Sequence, residues 1–158
     1  MSPQEFISKF GELMVIATNG TPLFPSVKMA QAGLETGWGK STVGTANNLF
    51  GIYATGNHTP YWKGDMVNAS TQEDYGNGNV TVRSNFRAYA TLQDSIKDHS
   101  HLLLTLSRYA PVRNAKTPEE QARELQRCGY ATDKNYSDKL ISLINQNNLK
   151  ELDKKKIS

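Results

Sequence analysis

Apolar residues recur at helical spacing towards both ends of the chain, and a central stretch breaks that period. Phe6, Phe10, Leu13, Met14 and Ala17 predict a first helix over about residues 3–18. Ser2-Pro3-Gln4-Glu5 opens it as a capping box with proline at the first helical position, and Asn19-Gly20-Thr21-Pro22 ends it. A second helix is expected from a Ser26 cap, with Val27, Ala30 and Leu34 inward and its end near Glu35. Thr91 opens a third, with Leu92, Ile96, His99, Leu103 and Leu106 on its inner face. Thr117-Pro118-Glu119-Glu120 is another capping box. Its helix should bury Ala122, Leu125 and Cys128 and stop at Gly129. A last helix is expected from about Asn135 to Asn147, with Tyr136, Leu140, Leu143 and Ile144 inward. Lys154-Lys155-Lys156 reads as solvated, so 1–150 is expected to be one domain and 151–158 a flexible tail.

Between these helices the pattern changes. Residues 36–64 are rich in Gly, Asn and Thr and carry Trp38, Phe50, Tyr53, Tyr61 and Trp62. That predicts a long loop region with one short helix near Ser41, and a loop of that length is usually functional. Val80-Thr81-Val82 and Phe86-Arg87-Ala88-Tyr89 are strand material after the turn signal Gly76-Asn77-Gly78-Asn79. A first strand near residues 66–74 completes a small antiparallel hairpin. The fold class is therefore α+β, mainly helical with a small hairpin.

Composition narrows the chemistry. The chain has 158 residues, 37% hydrophobic and 21% charged, with a mean hydropathy of -0.57, as for a soluble globular domain. A net charge of +3 suits an anionic surface such as a cell wall but is too weak to argue for nucleic acid. Cys128 is the single cysteine, which excludes an internal disulfide. No apolar run approaches the ~18 residues that span a membrane, so no insertion is expected. The N-terminal residues lack the basic and apolar blocks of a signal peptide.

Candidate chemistry centres on Leu34-Glu35-Thr36-Gly37-Trp38-Gly39. A carboxylate on the last turn of a helix meets the negative end of the helix dipole. Shielding by Trp38 would add desolvation, and both raise its pKa towards that of a general acid. The plainer reading is a surface glutamate at a helix end. Gly39-Lys40-Ser41 resembles the end of a phosphate-binding loop, but Leu34 stands where that loop needs glycine. His58, His99 and His101 lack metal-ligand spacing, so no metal is expected, and structural roles are expected for His99 and His101. Sugar rings pack on aromatic faces and bond to Asn, Asp and Gln, which the segment 38–75 supplies. A glycosidase also needs a second carboxylate, offered by Glu73 or Asp74. Strand alternation lets only one of these face Glu35.

Ala30-Gln31-Ala32-Gly33-Leu34-Glu35-Thr36-Gly37-Trp38-Gly39, followed by Asn47-Asn48-Leu49-Phe50-Gly51-Ile52, resembles the signature of glycoside hydrolase family 73 endo-β-N-acetylglucosaminidases. Tyr61-Trp62-Lys63-Gly64, Thr71-Gln72-Glu73, Phe86-Arg87-Ala88-Tyr89, Arg108-Tyr109 and Gly129-Tyr130-Ala131-Thr132-Asp133 match in order, with Tyr136 after them. Within the family the likeness runs closest to the hydrolase domains of flagellar rod-cap proteins, from about Pro3 to Leu149. It implies a lysozyme-like fold, with a cleft between a helical lobe and a β-lobe. It also implies cleavage of the β-1,4 bond after N-acetylglucosamine in peptidoglycan glycan strands. By motif position Glu35 is the general acid, Glu73 the second carboxylate, and Tyr130 the tyrosine near the acid. The implied sugar contacts are Trp38, Asn48, Phe50, Tyr53, Trp62 and Tyr136. Gly51-Ile52-Tyr53-Ala54-Thr55 departs from the Gly-Ile-Lys-Gly often found in the family.

Two schemes stay open: Glu73 as base or charge stabiliser, or attack by the substrate's own acetamido group with Tyr130 orienting it. Neither needs a metal or cofactor. A monomer is expected, acting in the periplasm or cell wall. It would serve as a secreted antibacterial effector, whose cognate immunity protein blocks the cleft, or as a phage lysin or autolysin domain. The competing function is a non-catalytic glycan-binding module.

Overall fold

The computed structural model describes residues 1–41 and 46–158, without the side chain of Asp74. The short helix expected near Ser41 falls outside the described residues. The order is α1 (Pro3–Thr18), α2 (Pro25–Thr36), β1 (Met66–Asp74), β2 (Asn79–Arg87), α3 (Leu92–Thr105), α4 (Ala110–Arg113), α5 (Pro118–Arg127), α6 (Tyr136–Gln146) and α7 (Lys150–Lys155). The fold class is α+β and helix-rich, as the sequence pattern predicts. Among the described residues no helix is long and apolar enough to cross a membrane.

Local chemistry sets most helix starts. Ser2, Thr91 and Thr117 each accept a hydrogen bond from the backbone N–H three residues on, from Glu5, Asp94 and Glu120. The expected Ser26 cap is a correction. Phe24 is the N-cap residue and Pro25 takes the first helical position. The Ser26 hydroxyl and N–H instead donate to the Asp153 carboxylate, at 2.7 and 2.8 Å.

α2 lies at the centre of the helical lobe. Every residue from Pro25 to Gly33 is buried, and α1, α5, α6 and α7 pack against it. A helix buried all round cannot be amphipathic, and Ala30, Ala32 and Gly33 let its neighbours approach. α2 ends at Gly37, whose φ of 57° is left-handed and whose N–H returns to the Gly33 carbonyl.

β1 and β2 form one antiparallel hairpin, with Met66 opposite Arg87 and Glu73 opposite Val80. Only its root is buried, at Phe86 and Arg87. The Arg87 guanidinium stacks on Trp62 at 4.0 Å, donates to the Tyr53 carbonyl at 3.2 Å and pairs with Asp98 at 2.9 Å. Tyr89 and Thr59 donate their hydroxyls to the same carboxylate. This buried hub fixes the hairpin root and the loop before it to α3.

The C-terminal residues differ from the flexible tail expected over 151–158. α7 buries Leu152, and Asp153 holds Ser26. The Gly20 N–H donates to the Ile157 carbonyl at 2.9 Å, and Ile157 N–H donates to the Asn19 side chain at 2.9 Å. Two inward positions also move out. Leu106 is the exposed C-cap of α3, and Cys128 is the half-buried C-cap of α5.

Candidate active site

Glu35 is the penultimate residue of α2 and leans out over the loop that follows. A β-carbon on Gly51 would lie 2.1 Å from Glu35 Oε1 and 2.4 Å from its Cδ, so the carboxyl occupies the space a side chain would take. Gly51 also has a φ of 61°, which favours glycine. Asn48 shapes this loop. It is fully buried, donating its amide to the Ile52 and Arg87 carbonyls at 3.0 Å each and accepting from Phe50 and Ile52 N–H at 3.2 Å.

The Glu35 pKa is raised from 4.5 to about 7, first by desolvation and second by the negative charge of Glu73. The residue as a whole is exposed. Exposure and desolvation meet in the carboxyl's close approach to Gly51, where protein crowds one side of it. The shielding expected of Trp38 is a correction. The Trp38 ring covers Gly33 and meets Phe6 edge-on at 5.7 Å. Gly33 and Glu35 are two residues apart, about 200° around the helix, so Trp38 packs on the opposite side.

Glu73 reaches the site from β1. Its charge acts on Glu35, and its carboxylate accepts a hydrogen bond from the Thr132 hydroxyl. Asp74, the next residue, ends β1 opposite Asn79. Tyr130 and Tyr136 stack at 5.8 Å, and the charge of Glu35 raises the pKa of both after burial has done so. The Tyr136 hydroxyl accepts from Gln31 at 3.0 Å. The Tyr130 hydroxyl is buried with no partner among the described residues.

Against Tyr130, whose ring meets that of His99 at 6.0 Å, lies a buried lysine–histidine pair. Lys28 donates to the Ile96 carbonyl at 2.7 Å, to His99 Nδ1 at 2.8 Å and to Ser100 Oγ at 2.9 Å. Burial pushes its pKa down, and the charge of Asp98 opposes that. Burial and Lys28 together lower the His99 pKa, which keeps that ring neutral and stacked on Phe50 at 3.8 Å. His99 Nε2 has no partner among the described residues.

Of the other implied sugar contacts, Asn48, Phe50 and Trp62 are buried and built into the scaffold. Trp62 gives one face to Arg87 and its indole N–H to the Asp65 carbonyl at 2.7 Å. Tyr53 stays exposed, stacked on Phe86. Sequence reasoning missed Gly51, Thr132 and the buried Lys28–His99 pair. Gly51 follows the quoted Asn-Asn-Leu-Phe run, but only the fold reveals its contact with Glu35. A cavity of about 310 Å³ opens between α1 and α3, lined by Leu13, Ile16, Tyr61, Lys97, His101 and Leu104 among others. It contains no carboxylate, and neither Glu35 nor Glu73 lines it.

Known proteins resemble this chain in sequence and fold. Residues 12–149 match the glucosaminidase family, described as mannosyl-glycoprotein endo-beta-N-acetylglucosaminidase. The peptidoglycan hydrolase FlgJ of Vibrio parahaemolyticus is 35% identical, over 90% of this chain and 46% of its own length. The exo-glucosaminidase LytG of Bacillus subtilis is 38% identical, over 83% of this chain and 46% of its own length. The chain thus spans under half the length of these curated relatives. The crystal structure of a peptidoglycan hydrolase mutant from Sphingomonas sp. A1 superposes with a TM-score of 0.80 and 33% identity, covering 94% of this chain and 97% of the other. From the matched residues and the shared fold, this chain belongs to the glucosaminidase family of glycoside hydrolases.

Proposed function

We propose that the protein hydrolyses the β-1,4 bond after N-acetylglucosamine in peptidoglycan glycan strands. One observation carries the reading: Glu35 is a carboxyl with a pKa raised to about 7, in part by the charge of a second carboxylate, Glu73. Relatives named as peptidoglycan hydrolase and glucosaminidase support the substrate. Glu35, protonated near neutral pH, donates its proton to the leaving glycosidic oxygen. Gly51 leaves the space in which the acid sits. Glu73 stays on the far side of the scissile bond, where it activates water or stabilises the oxocarbenium-like charge.

A water between the carboxyls needs a separation of roughly 6.5–9.5 Å and gives inversion of the anomer. The Tyr130 hydroxyl supports a second scheme, because it lies close enough to feel Glu35 and has no partner among the described residues. There the substrate's acetamido oxygen attacks the anomeric carbon and Tyr130 holds that group in place. Glu73→Gln separates the schemes. A loss of roughly 10²–10⁴ in rate assigns Glu73 as base, and a mild loss assigns substrate assistance. Loss of turbidity of purified peptidoglycan, with the new reducing end identified by mass, tests the reaction itself and would expose a module that only binds. Effector, lysin and autolysin are three deployments of this one reaction.

A further inference from the structure

We propose that Thr132 is a positioning residue that holds Glu73 in place against Glu35. The proposal rests on the glycosidase reading above and adds how the second carboxylate keeps its place. The hairpin is anchored at its root, where Phe86 and Arg87 are buried, and most of β2 beyond is exposed. Glu73 stands seven residues along β1 from Met66, or about 24 Å of extended chain. A two-stranded ribbon is marginal on its own, so its own ladder cannot fix a carboxylate that far from the anchor.

The other partner is rigid. The Gln126 side chain donates to the Lys134 carbonyl at 2.8 Å and accepts from Ser137 N–H at 2.8 Å. Asp133 accepts from Asn135 N–H at 2.8 Å and pairs with Lys139. These bonds hold the residues that follow Thr132, and before it the Tyr130 N–H donates to the Leu125 carbonyl at 3.0 Å. From that fixed post the Thr132 hydroxyl donates to Glu73 Oε2. A β-carbon on Gly76 would lie 3.9 Å from Lys134 Nζ, so the hairpin tip meets the same segment. Hairpin and helical lobe are therefore joined at Glu73 itself.

The consequence is electrostatic. Glu35 faces Glu73 from β1, Tyr130 from the α5–α6 segment and Tyr136 from α6. Lys134 lies beyond, at the hairpin tip, and Asp133 is paired with Lys139. Of these groups, only Glu73 raises the Glu35 pKa by charge. If the arm swings away, the Glu35 pKa falls, and the acid loses its proton at lower pH.

The test compares Thr132→Val with Thr132→Ser. The Glu35 carboxyl is followed by carbon-13 NMR titration, and kcat and KM are measured against pH on a soluble peptidoglycan glycan fragment. Thr132→Val should lower the Glu35 pKa, move the alkaline limb of kcat to lower pH and reduce kcat roughly ten-fold, less than loss of a base would. Thr132→Ser should restore all three. A Val variant with an unchanged carboxyl titration, or a Ser variant as impaired as Val, overturns the proposal. The titration needs no activity, so it distinguishes failure here from failure of the glycosidase reading, which would appear as lysis by Glu35→Gln.

Discussion

At Glu35 and Gly51 two residues share one space. A methyl group on Gly51 would fall 2.1 Å from Glu35 Oε1, and an L side chain at a φ of 61° is strained by roughly 1–2 kcal/mol. Gly51→Ala should therefore push the acid aside and cost about 100-fold in kcat, as a displacement near 1 Å does. Its far-ultraviolet circular dichroism should stay unchanged, and a variant of wild-type activity would show that the contact is unimportant. The raised pKa also has a consequence for stability. Between pH 4.5 and 7 the folded chain holds a proton on Glu35 that the unfolded chain releases. That contribution is complete below pH 4.5 and is lost as pH rises through 7. Above pH 7 the folded chain carries a desolvated charge facing Glu73. Glu35→Gln should remove that penalty, so melting at pH 8 should occur at higher temperature than for the wild type, with a smaller gain at pH 4. Glu35 was legible in the sequence because a helix end, a Gly-Trp-Gly run and a motif coincide there. Motif order also paired it with Glu73, but its contact with Gly51 was not legible, since the two meet only through the fold, and the adjacent Trp38 turns the other way.

At the scale of elements, caps were readable because they are local. Ser2, Thr91 and Thr117 bond within three residues of themselves. Ser26 was misread because its partner, Asp153, lies at the far end of the chain. The C-terminal lysines suggested a solvated tail, yet the buried Leu152 side chain and the hydrogen-bonded backbone of Ile157 dock it. α2 depends on close approach. A β-carbon on Gly33 would lie 2.5 Å from the Trp38 ring. Alanine is better than glycine within a helix by about 1 kcal/mol, but overpacking against a rigid ring costs about 1–3 kcal/mol. Gly33→Ala should be net destabilising in urea denaturation, and a stabilised variant would refute the packing. The hub under the hairpin is more demanding. Asp98 is fully buried and receives Arg87, Tyr89 and Thr59. Asp98→Ala leaves the guanidinium buried and unpaired, and should cost about 3–5 kcal/mol by the same measurement.

For the whole molecule, the helical lobe carries Glu35 and the hairpin carries Glu73, and the proposed reaction divides its work between them. Sequence periodicity revealed both parts, and motif order paired Glu35 with Glu73. It could not reveal the buried Lys28–His99 and Arg87–Asp98 groups, whose polar residues gain meaning only from partners distant in sequence. Under the proposed mechanism, lysis depends on one proton. Activity should fall as pH rises through about 7, where Glu35 gives its proton up. The most direct test is turbidity loss of purified peptidoglycan near pH 6 by the wild type and by Glu35→Gln, with folding checked by circular dichroism. The wild type should clear the suspension, and the folded variant should be slower by about 10³-fold or more. A folded Glu35→Gln protein that clears the wall at the wild-type rate would contradict the assignment of Glu35 as the acid.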